Sequence, residues 1–382
     1  MHKGTAGRGS NPWNVPAVAL GTGLEGVNRM TAITKTSIPH DVDGPRSRIT
    51  DIPPSSRGLR HILVCLDRST AAEASLSYAI ALARAFGSGV TLLYVMQPAQ
   101  GHCAGDVPDP LDWELSRREA SAYLDRLARQ ATETWGLSVE TRIEQGHPAE
   151  RITATARGIG EVLTVIASHG EGGSTASSLG STAQRILAVS RGSVLVTRAT
   201  SSAPSVITPK RILVPLDGSL RTESVLPTVE RIAEAYGAEV VLAHVVPEPL
   251  PTAVLHTGDL DLARELAGRL ESRAKRYLEH VRGRMPRDTS VRIRVTRHAD
   301  ERQSLLDISL QERADLVVLS AHGSVCNPRR VFGSVTQHLL AHSMAPLLVL
   351  QDLSDLELER AGKERDRSSA PPPRSSHSLR PG

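Results

Sequence analysis

The segments that decide the fold are His61-Ile-Leu-Val-Cys-Leu-Asp67 and Arg211-Ile-Leu-Val-Pro-Leu-Asp217. Each is a short apolar run closed by an aspartate, a pattern typical of a strand buried on both faces of a sheet. The two segments lie 150 residues apart, and the match continues without gaps to Leu92–Val95 against Leu242–Val245. A repeat this long indicates a duplicated domain, because solenoid repeats span only about 20–50 residues.

The closing parts of the two copies match as well. Ala167-Ser-His-Gly170 aligns with Ser320-Ala-His-Gly323, and Gly180-Ser181 aligns with Gly333-Ser334, both at an offset of 153 residues. Between these two matches, the second copy is therefore only three residues longer than the first.

Strand and helix signals alternate along each copy. Apolar runs predict five strands per copy, at Ile62–Leu66, Val90–Met96, Ser138–Ile143, Val162–Ala167 and Ser193–Thr197, and again at Ile212–Leu216, Val240–Val246, Val291–Thr296, Leu316–Leu319 and Leu347–Leu350. Helical segments fill the intervals, the first of them capped by Ser69 or Thr70 and stopped by Gly87. We therefore expect the α/β class, with two doubly wound, Rossmann-like domains that each contain a five-stranded parallel sheet.

The remaining stretches are polar and lack a structural period. Residues 1–57 predict a disordered leader and residues 353–382 a disordered tail, which leaves a first domain at 58–200 and a second at 208–352. Gly21-Thr-Gly-Leu-Glu-Gly26 matches a dinucleotide-binding fingerprint, but a short run broken by Pro16 replaces the strand that such a motif requires.

Composition excludes several classes of protein. The net charge is +4, with 45 basic and 41 acidic residues interspersed along helices, so we expect paired charges on helix faces and no nucleic-acid partner. No apolar run approaches the length of a membrane span, and the N-terminus lacks a signal-peptide layout. The three cysteines show no metal-binding spacing, so we expect no metal site, a reducing compartment and a cytoplasmic location.

Asp67 and Asp217 stand where a ligand is expected. Doubly wound sheets bind ligands at the carboxyl ends of their strands, and both aspartates follow the first strand of their copy. A carboxylate there accepts hydrogen bonds from a ribose hydroxyl or an adenine amine. A turn or helix-capping aspartate explains the same position, so both interpretations stay open.

A glycine-rich connection follows the fourth strand of each copy. In the first copy nine residues separate Gly170 from Gly180-Ser181, and in the second nine separate Gly323 from Gly333-Ser334. Glycine permits close backbone approach, and N–H groups at a helix N-terminus bind anions, so the pattern favours phosphate binding. The alternative is a connecting loop with a capping serine. Arg329 and Arg330 lie in the second loop, where they meet either phosphates or solvent.

These residues resemble the universal stress protein family in its tandem form, over about 58–200 and 208–352. The family's ATP-binding pattern is Gly-x2-Gly-x9-Gly-Ser/Thr. This chain keeps the second and third glycines and the serine in both copies, but Ala167 and Ser320 replace the first glycine. The larger change is the serine, so the resemblance favours the first copy for ATP binding, with or without Mg²⁺.

The resemblance also assigns provisional roles. It implies that Asp67 and Asp217 contact adenine or ribose, and that Val95 and Val245 meet adenine through their backbone. Family members that bind ATP often have proline two residues before the aspartate, which Pro215 retains and Cys65 does not. His169 and His322 precede the loop glycine and are either structural or catalytic.

Three functions remain in competition. The first is a stress-response regulator that binds ATP in one or both copies and acts on an unidentified protein partner. The second is a slow ATPase, which the sequence favours less because it contains no GxxxxGK[ST] motif. The third is a scaffold with degenerate pockets. In each case we expect the two copies to pack as a pseudo-dimer, and a homodimer stays open.

Overall fold

The computed structural model describes residues 59–97, 110–169, 179–198, 207–248, 257–327, 330–353 and 357. The predicted leader, nearly all of the predicted tail and the Gly21–Gly26 motif lie outside these ranges. So do Gly170 and Arg329, which the sequence analysis places in the glycine-rich loops.

The first copy alternates strands and helices as predicted. Its strands are β1 (His61–Leu66), β2 (Gly89–Met96), β3 (Val139–Gln145), β4 (Val162–Ala167) and β5 (Ser193–Thr197), and its helices are α1 (Thr70–Phe86), α2 (Pro110–Trp135), α3 (Pro148–Ile159) and α4 (Ser181–Val189). Ser69 is the N-cap of α1 and accepts a hydrogen bond from the backbone N–H of Ala72, while Gly87 ends the helix in the left-handed region at φ 67°.

The second copy repeats this order with one difference. Its elements are β6 (Arg211–Pro215), α5 (Leu220–Glu223), α6 (Leu226–Tyr236), β7 (Glu239–Pro247), α7 (Thr257–Arg284), β8 (Val291–His298), α8 (Glu301–Gln311), β9 (Leu316–Ser320), α9 (Ser334–His342) and β10 (Leu347–Leu350). The counterpart of α1 is split into α5 and α6. Pro227 lies in the first turn of α6, where its missing N–H costs nothing, but it cannot continue a helix from α5.

All the strands belong to one sheet of ten, in the order β3-β2-β1-β4-β5-β10-β9-β6-β7-β8. Within each copy every neighbouring pair is parallel, which confirms the predicted pair of doubly wound α/β domains. In each half the strand order reverses beside the first strand, between β1 and β4 and again between β6 and β9. Ligand crevices of this fold open at such a reversal.

The two copies join through an antiparallel pair formed by β5 and β10. Val194 lies opposite Val349, Leu195 opposite Leu348 and Val196 opposite Leu347, all of them buried. Because this junction is antiparallel, the carboxyl ends of the strands in the two copies lie at opposite edges of the sheet. The two predicted sites are therefore separate.

The core consists of two aliphatic layers, one on each face of the sheet. One layer packs α1, α2, α6 and α7 against the strands and runs without interruption from one copy into the other. The other layer packs α3, α4, α8 and α9. The low aromatic content of the chain, 3%, accordingly gives a core of valine, leucine, isoleucine and alanine.

Side chains tie the copies together beyond the sheet. The hydroxyl of Tyr236 in α6 donates to the carbonyl oxygen of Ala81 in α1 at 2.6 Å. The Arg198 guanidinium, at the end of β5, donates to the carbonyl oxygens of Ser343 and Leu340 at the end of α9, at 2.8 and 2.9 Å. A cation at a helix C-terminus is favourable, so the copies form an intramolecular pseudo-dimer.

The surface agrees with the expected pairing of charges. Glu114 and Arg118 in α2, like Glu265 and Arg269 in α7, form ion pairs four residues apart. No helix among the described residues combines the length and apolarity that a membrane crossing requires.

We predict that Tyr236→Phe lowers the free energy of unfolding by about 1 kcal/mol, because it removes one hydrogen bond between the copies and leaves the Ala81 carbonyl without that donor. Urea unfolding of the full chain measures the change. The control is Tyr78→Phe, because Tyr78 packs against the same core and its hydroxyl has no hydrogen bond among the described residues. Equal losses in the two variants would contradict the assignment.

Candidate functional site

A cavity of about 750 Å³ opens in the first copy where the strand order reverses. We call it the first cavity. The ends of β1, β2 and β4 and the start of α4 surround it, and its wall includes Asp67, Val95, His169, Gly180 and Ser181. Of the residues predicted for this copy, the structure thus brings together four, while Gly170 lies outside the described residues.

Asp67, which lines the first cavity, uses one carboxylate oxygen within its own turn. Its Oδ1 accepts from the backbone N–H and the hydroxyl of Ser69, at 3.0 and 2.5 Å. Its Oδ2 has no hydrogen bond with any described residue. One oxygen thus shapes the turn into α1, in agreement with the turn interpretation, while the ligand interpretation stays a prediction.

The N-terminus of α4 leaves its backbone N–H groups without a capping side chain. Gly180 is the N-cap and supplies no side-chain hydrogen bond, and the first turn carries no acidic residue. The backbone of Gly180 lies close under the end of β4, where its N–H donates to the Ser168 carbonyl oxygen at 2.7 Å. A Cβ at this position would stand 3.2 Å from that oxygen, so the approach favours glycine. The N–H groups that begin α4 carry the positive end of the helix dipole.

The floor of the first cavity is apolar. Leu93, Ile152 and Ile166 line it together with Cys65. Burial raises the pKa of the Cys65 thiol far above its usual value, and the negative charge of Asp67 raises it further, so the thiol stays protonated and contributes as a small apolar group. An aliphatic floor beside one carboxylate and a helix N-terminus suits a ligand with a flat apolar part and an anionic part.

The corresponding cavity in the second copy, the second cavity, has a volume of only about 190 Å³. All five residues predicted there, Asp217, Val245, Gly323, Gly333 and Ser334, line it. The start of α9 resembles that of α4, with Gly333 as an N-cap that makes no side-chain hydrogen bond. The predicted residues thus come together in both copies, but the space they enclose differs.

Both carboxylate oxygens of Asp217 are engaged in the second cavity. Oδ1 accepts from the Ser219 N–H at 2.9 Å and from the Thr222 hydroxyl at 2.8 Å. Oδ2 accepts from the N–H of Ser324, in the glycine-rich loop, at 2.6 Å. Gly323 permits this contact, because a Cβ there would stand 2.5 Å from Oδ2. We call the bond between Asp217 and Ser324 the latch.

The charges of the second cavity also differ. Glu301, the first residue of α8, lines it beside Asp217, and the residue at the same offset in the first copy is Pro148. Burial raises the pKa of Glu301, and the nearby carboxylates of Asp217 and Asp300 raise it further. Burial also raises the pKa of Asp217, but hydrogen bonds from Ser219, Ser324 and Thr222 outweigh it, and the net pKa is lowered. The second cavity is thus acidic.

The two loop histidines have different surroundings. His322 is buried, with Nδ1 2.9 Å from Asp352 Oδ1 and Nε2 2.9 Å from the Arg330 carbonyl oxygen. Both ring nitrogens of His322 thus face acceptor oxygens of the protein. His169 bonds only to the Ser168 hydroxyl, at 3.1 Å, and its buried Nε2 has no partner. His169 lines the first cavity, and its buried Nε2 is a polar atom without the hydrogen bond that such atoms usually make.

Sequence reasoning missed three residues that shape the second copy: Thr222, Glu301 and Asp352. Thr222 gave no signal beyond helix composition. Glu301 lies a few residues after a predicted strand, and an acidic residue near a strand end is a signal of a site, as it was for Asp217. Asp352 follows the last strand, but its partner His322 is 30 residues away in sequence, so no local pattern connected them.

Comparison with known proteins agrees with this architecture. The sequence model of the universal stress protein family matches residues 58–198 and again residues 208–351. Universal stress protein MJ0577 of Methanocaldococcus jannaschii is 25% identical over 154 residues, which cover 37% of this chain and 94% of that protein.

Two solved structures share the fold over both copies. A universal stress protein from Archaeoglobus fulgidus is 18% identical, with a TM-score of 0.52, and the match covers 77% of this chain and 98% of that one. A functionally unknown protein from Pseudomonas aeruginosa PAO1 is 15% identical, with a TM-score of 0.58, and covers 82% and 99%. The two family matches span most of the sequence, and the chain therefore belongs to the universal stress protein family, in a form with two tandem domains.

Proposed function

We propose that the first copy binds ATP in the first cavity, that the second copy is closed to nucleotide, and that the chain acts as a nucleotide-dependent regulator of a stress response in the cytoplasm. The observation that carries this proposal is that Asp67, whose Oδ2 makes no hydrogen bond with the described residues, lines the same cavity as the uncapped start of α4. The carboxylate accepts hydrogen bonds and the helix N-terminus attracts anions. A nucleoside phosphate offers a hydroxyl group to the first and a phosphate group to the second.

The volume and lining of the first cavity support a nucleotide. About 750 Å³ lies within the range of roughly 300–1,000 Å³ that is usual for small-molecule sites. In the proposed pose, adenine packs on the floor near Val95, a ribose hydroxyl donates to Asp67, and the phosphates meet the N–H groups of Gly180 and Ser181. Bound Mg²⁺ would offset phosphate charge, and His169 lies on the same wall.

For the second copy the observations favour a structural role. Its cavity of about 190 Å³ is below the usual range for such ligands. The latch holds the loop backbone against Asp217, which occupies the carboxylate that would otherwise meet a ribose. Asp217 and Glu301 both line this space, and two carboxylates repel a polyphosphate. A half that has lost nucleotide binding still completes the sheet.

We predict that Asp67→Ala weakens ATP binding at least about 10-fold, because a hydrogen bond to a charged group contributes roughly 1.5–3 kcal/mol and each 1.4 kcal/mol is a factor of ten. Asp217→Ala is the matched control at the equivalent position of the other copy, and it is expected to leave the affinity for the first ATP unchanged. Isothermal titration calorimetry of the three full-length proteins measures both effects.

Three results would contradict the proposal: no ATP binding by the unaltered chain, unchanged affinity in Asp67→Ala, or an equal loss in Asp217→Ala. Circular dichroism of each variant confirms that it is folded before its affinity is compared.

We also predict a pH dependence for the latch. The pKa of Asp217 is lower in the folded chain than in the unfolded one, so its contribution to stability is complete above the unfolded value of about 3.9 and is lost as the pH falls through the lower, folded pKa. Asp217→Asn should therefore cost about 1–3 kcal/mol near pH 7, and the difference from the unaltered chain should shrink below about pH 4.

Urea unfolding at several pH values between 7 and 3 measures this difference. The control is Asp288→Asn, which removes a carboxylate from an exposed residue. A destabilisation by Asp217→Asn that stays constant across the whole pH range would show that the charged carboxylate does not stabilise the latch.

A further inference from the structure

We propose that His322, Cys326 and Asp352 form a metal-binding site, and that their donor set selects Zn²⁺. The imidazole nitrogen, the thiol sulfur and the carboxylate oxygen all lie within 4.8 Å of one another. A thiolate, an imidazole and a carboxylate are the ligands that Zn²⁺ takes in proteins. The inference is independent of the proposed nucleotide site, which lies in the other copy.

Topology brings these residues together. β9 and β10 are parallel neighbours, so the residues that follow them lie side by side at one edge of the sheet. His322 comes two residues after β9, and Asp352 comes two residues after β10. Cys326 lies four residues beyond His322, in the loop that leads to α9.

The hydrogen bonds of His322 call for a cation between its ring and Asp352. Nε2 faces the carbonyl oxygen of Arg330 at 2.9 Å, and a carbonyl only accepts, so Nε2 carries a proton. Nδ1 lies 2.9 Å from Asp352 Oδ1. In a neutral imidazole, Nδ1 then directs a lone pair at a carboxylate oxygen, and the contact is repulsive unless Nδ1 also carries a proton or both atoms bind the same cation.

The same hydrogen bonds are those that orient metal ligands. A histidine bound to a metal usually donates its other N–H to a carbonyl or carboxylate, and a ligating carboxylate is itself hydrogen-bonded. Here Nε2 is paired with the Arg330 carbonyl. The second oxygen of Asp352 accepts from the Arg221 guanidinium at 2.7 Å. Both buried ligands are thus held in place by groups outside the ligand set.

The charged groups around the site carry a net negative charge, which favours a cation. Arg221 pairs with Asp352 at 2.7 Å and lies 3.6 Å from Glu357, so one positive group faces two carboxylates. Binding of Zn²⁺ with loss of the Cys326 proton adds two positive charges and one negative charge, which neutralises the group. Cys326 is half-buried while His322 and Asp352 are fully buried, so the ion enters from the side of the thiol.

The first copy lacks this set of ligands. At the same offset of 153 residues, Cys326 corresponds to Gly173 and Asp352 to Ala199, whereas His322 corresponds to His169. The site belongs to the second copy alone. An ion there would connect the glycine-rich loop to the end of β10, and Ser324 of the latch lies in the same loop, two residues before Cys326. We therefore infer that the metal helps to keep the second cavity closed.

Zinc retention by the full chain tests the site. The protein is treated with a chelator, incubated with Zn²⁺ and desalted without nucleotide, and its metal content is measured by mass spectrometry. We expect the unaltered chain to retain about one Zn²⁺ and Cys326→Ser to lose it. In competition with a chromophoric chelator, we expect the affinity of Cys326→Ser for Zn²⁺ to be at least about 10-fold lower than that of the unaltered chain. Cys103→Ser, which alters a cysteine of the first copy, is the matched control and should retain the ion.

Co²⁺ provides a second measurement that needs no variant to fold. Bound through Cys326, it produces a thiolate-to-metal charge-transfer band in the near ultraviolet, and Cys326→Ser removes this band. No zinc retained by the unaltered chain, equal retention in Cys326→Ser, or bound Co²⁺ without a thiolate band would each overturn the proposal. The first of these results would leave a proton as the cation between His322 and Asp352.

Discussion

The antiparallel pairing of β5 with β10 is the contact on which the rest of the structure depends. Each copy alone would end in a buried, aliphatic strand with an unpaired edge, a template for association with other chains. Pairing the two edges inside one polypeptide removes that exposed edge and extends both core layers through the two halves. It also sends the carboxyl ends of the two parallel sets to opposite edges of the sheet, so that each copy keeps its own crevice.

The aspartate after the first strand makes different contacts in the two copies. In the first copy, Asp67 bonds within its own turn and leaves one oxygen to the cavity. In the second, Asp217 bonds to the loop itself. The same position thus contacts only its own turn among the described residues of one half, and the glycine-rich loop in the other. The histidines follow the same division, since His322 is fully bonded and His169 keeps an unpartnered nitrogen.

Much of this architecture was accessible from the sequence, because its signals are local. Apolar runs gave the strands, and the repeat gave the two domains. Ser69 and Gly87 marked the ends of α1 correctly. Pro227 is a local sign that the corresponding helix of the second copy breaks, where the repeat alone predicts one helix like α1.

The asymmetry of the two sites was only partly accessible. The serine that replaces the first glycine favoured the first copy, but Ser320 is not what closes the second cavity, because its hydroxyl donates to the His322 carbonyl oxygen at 2.5 Å. In the second cavity, the glycine-rich loop is held by the bond between Asp217 and Ser324, which are 107 residues apart in sequence. Contacts at such separation depend on the path of the loop through space, and residue types alone do not encode that path. The cluster around Asp352 escaped prediction for the same reason.

The central claim is that the two copies, alike in sequence pattern, differ in their capacity for nucleotide. Native mass spectrometry of the full chain over a range of ATP concentrations tests it most directly, because each bound ATP adds a resolved increment of mass. The account predicts that one ATP per chain saturates first and that a second is not acquired in the same range. Two ATP molecules filling together, or none bound at all, would contradict it.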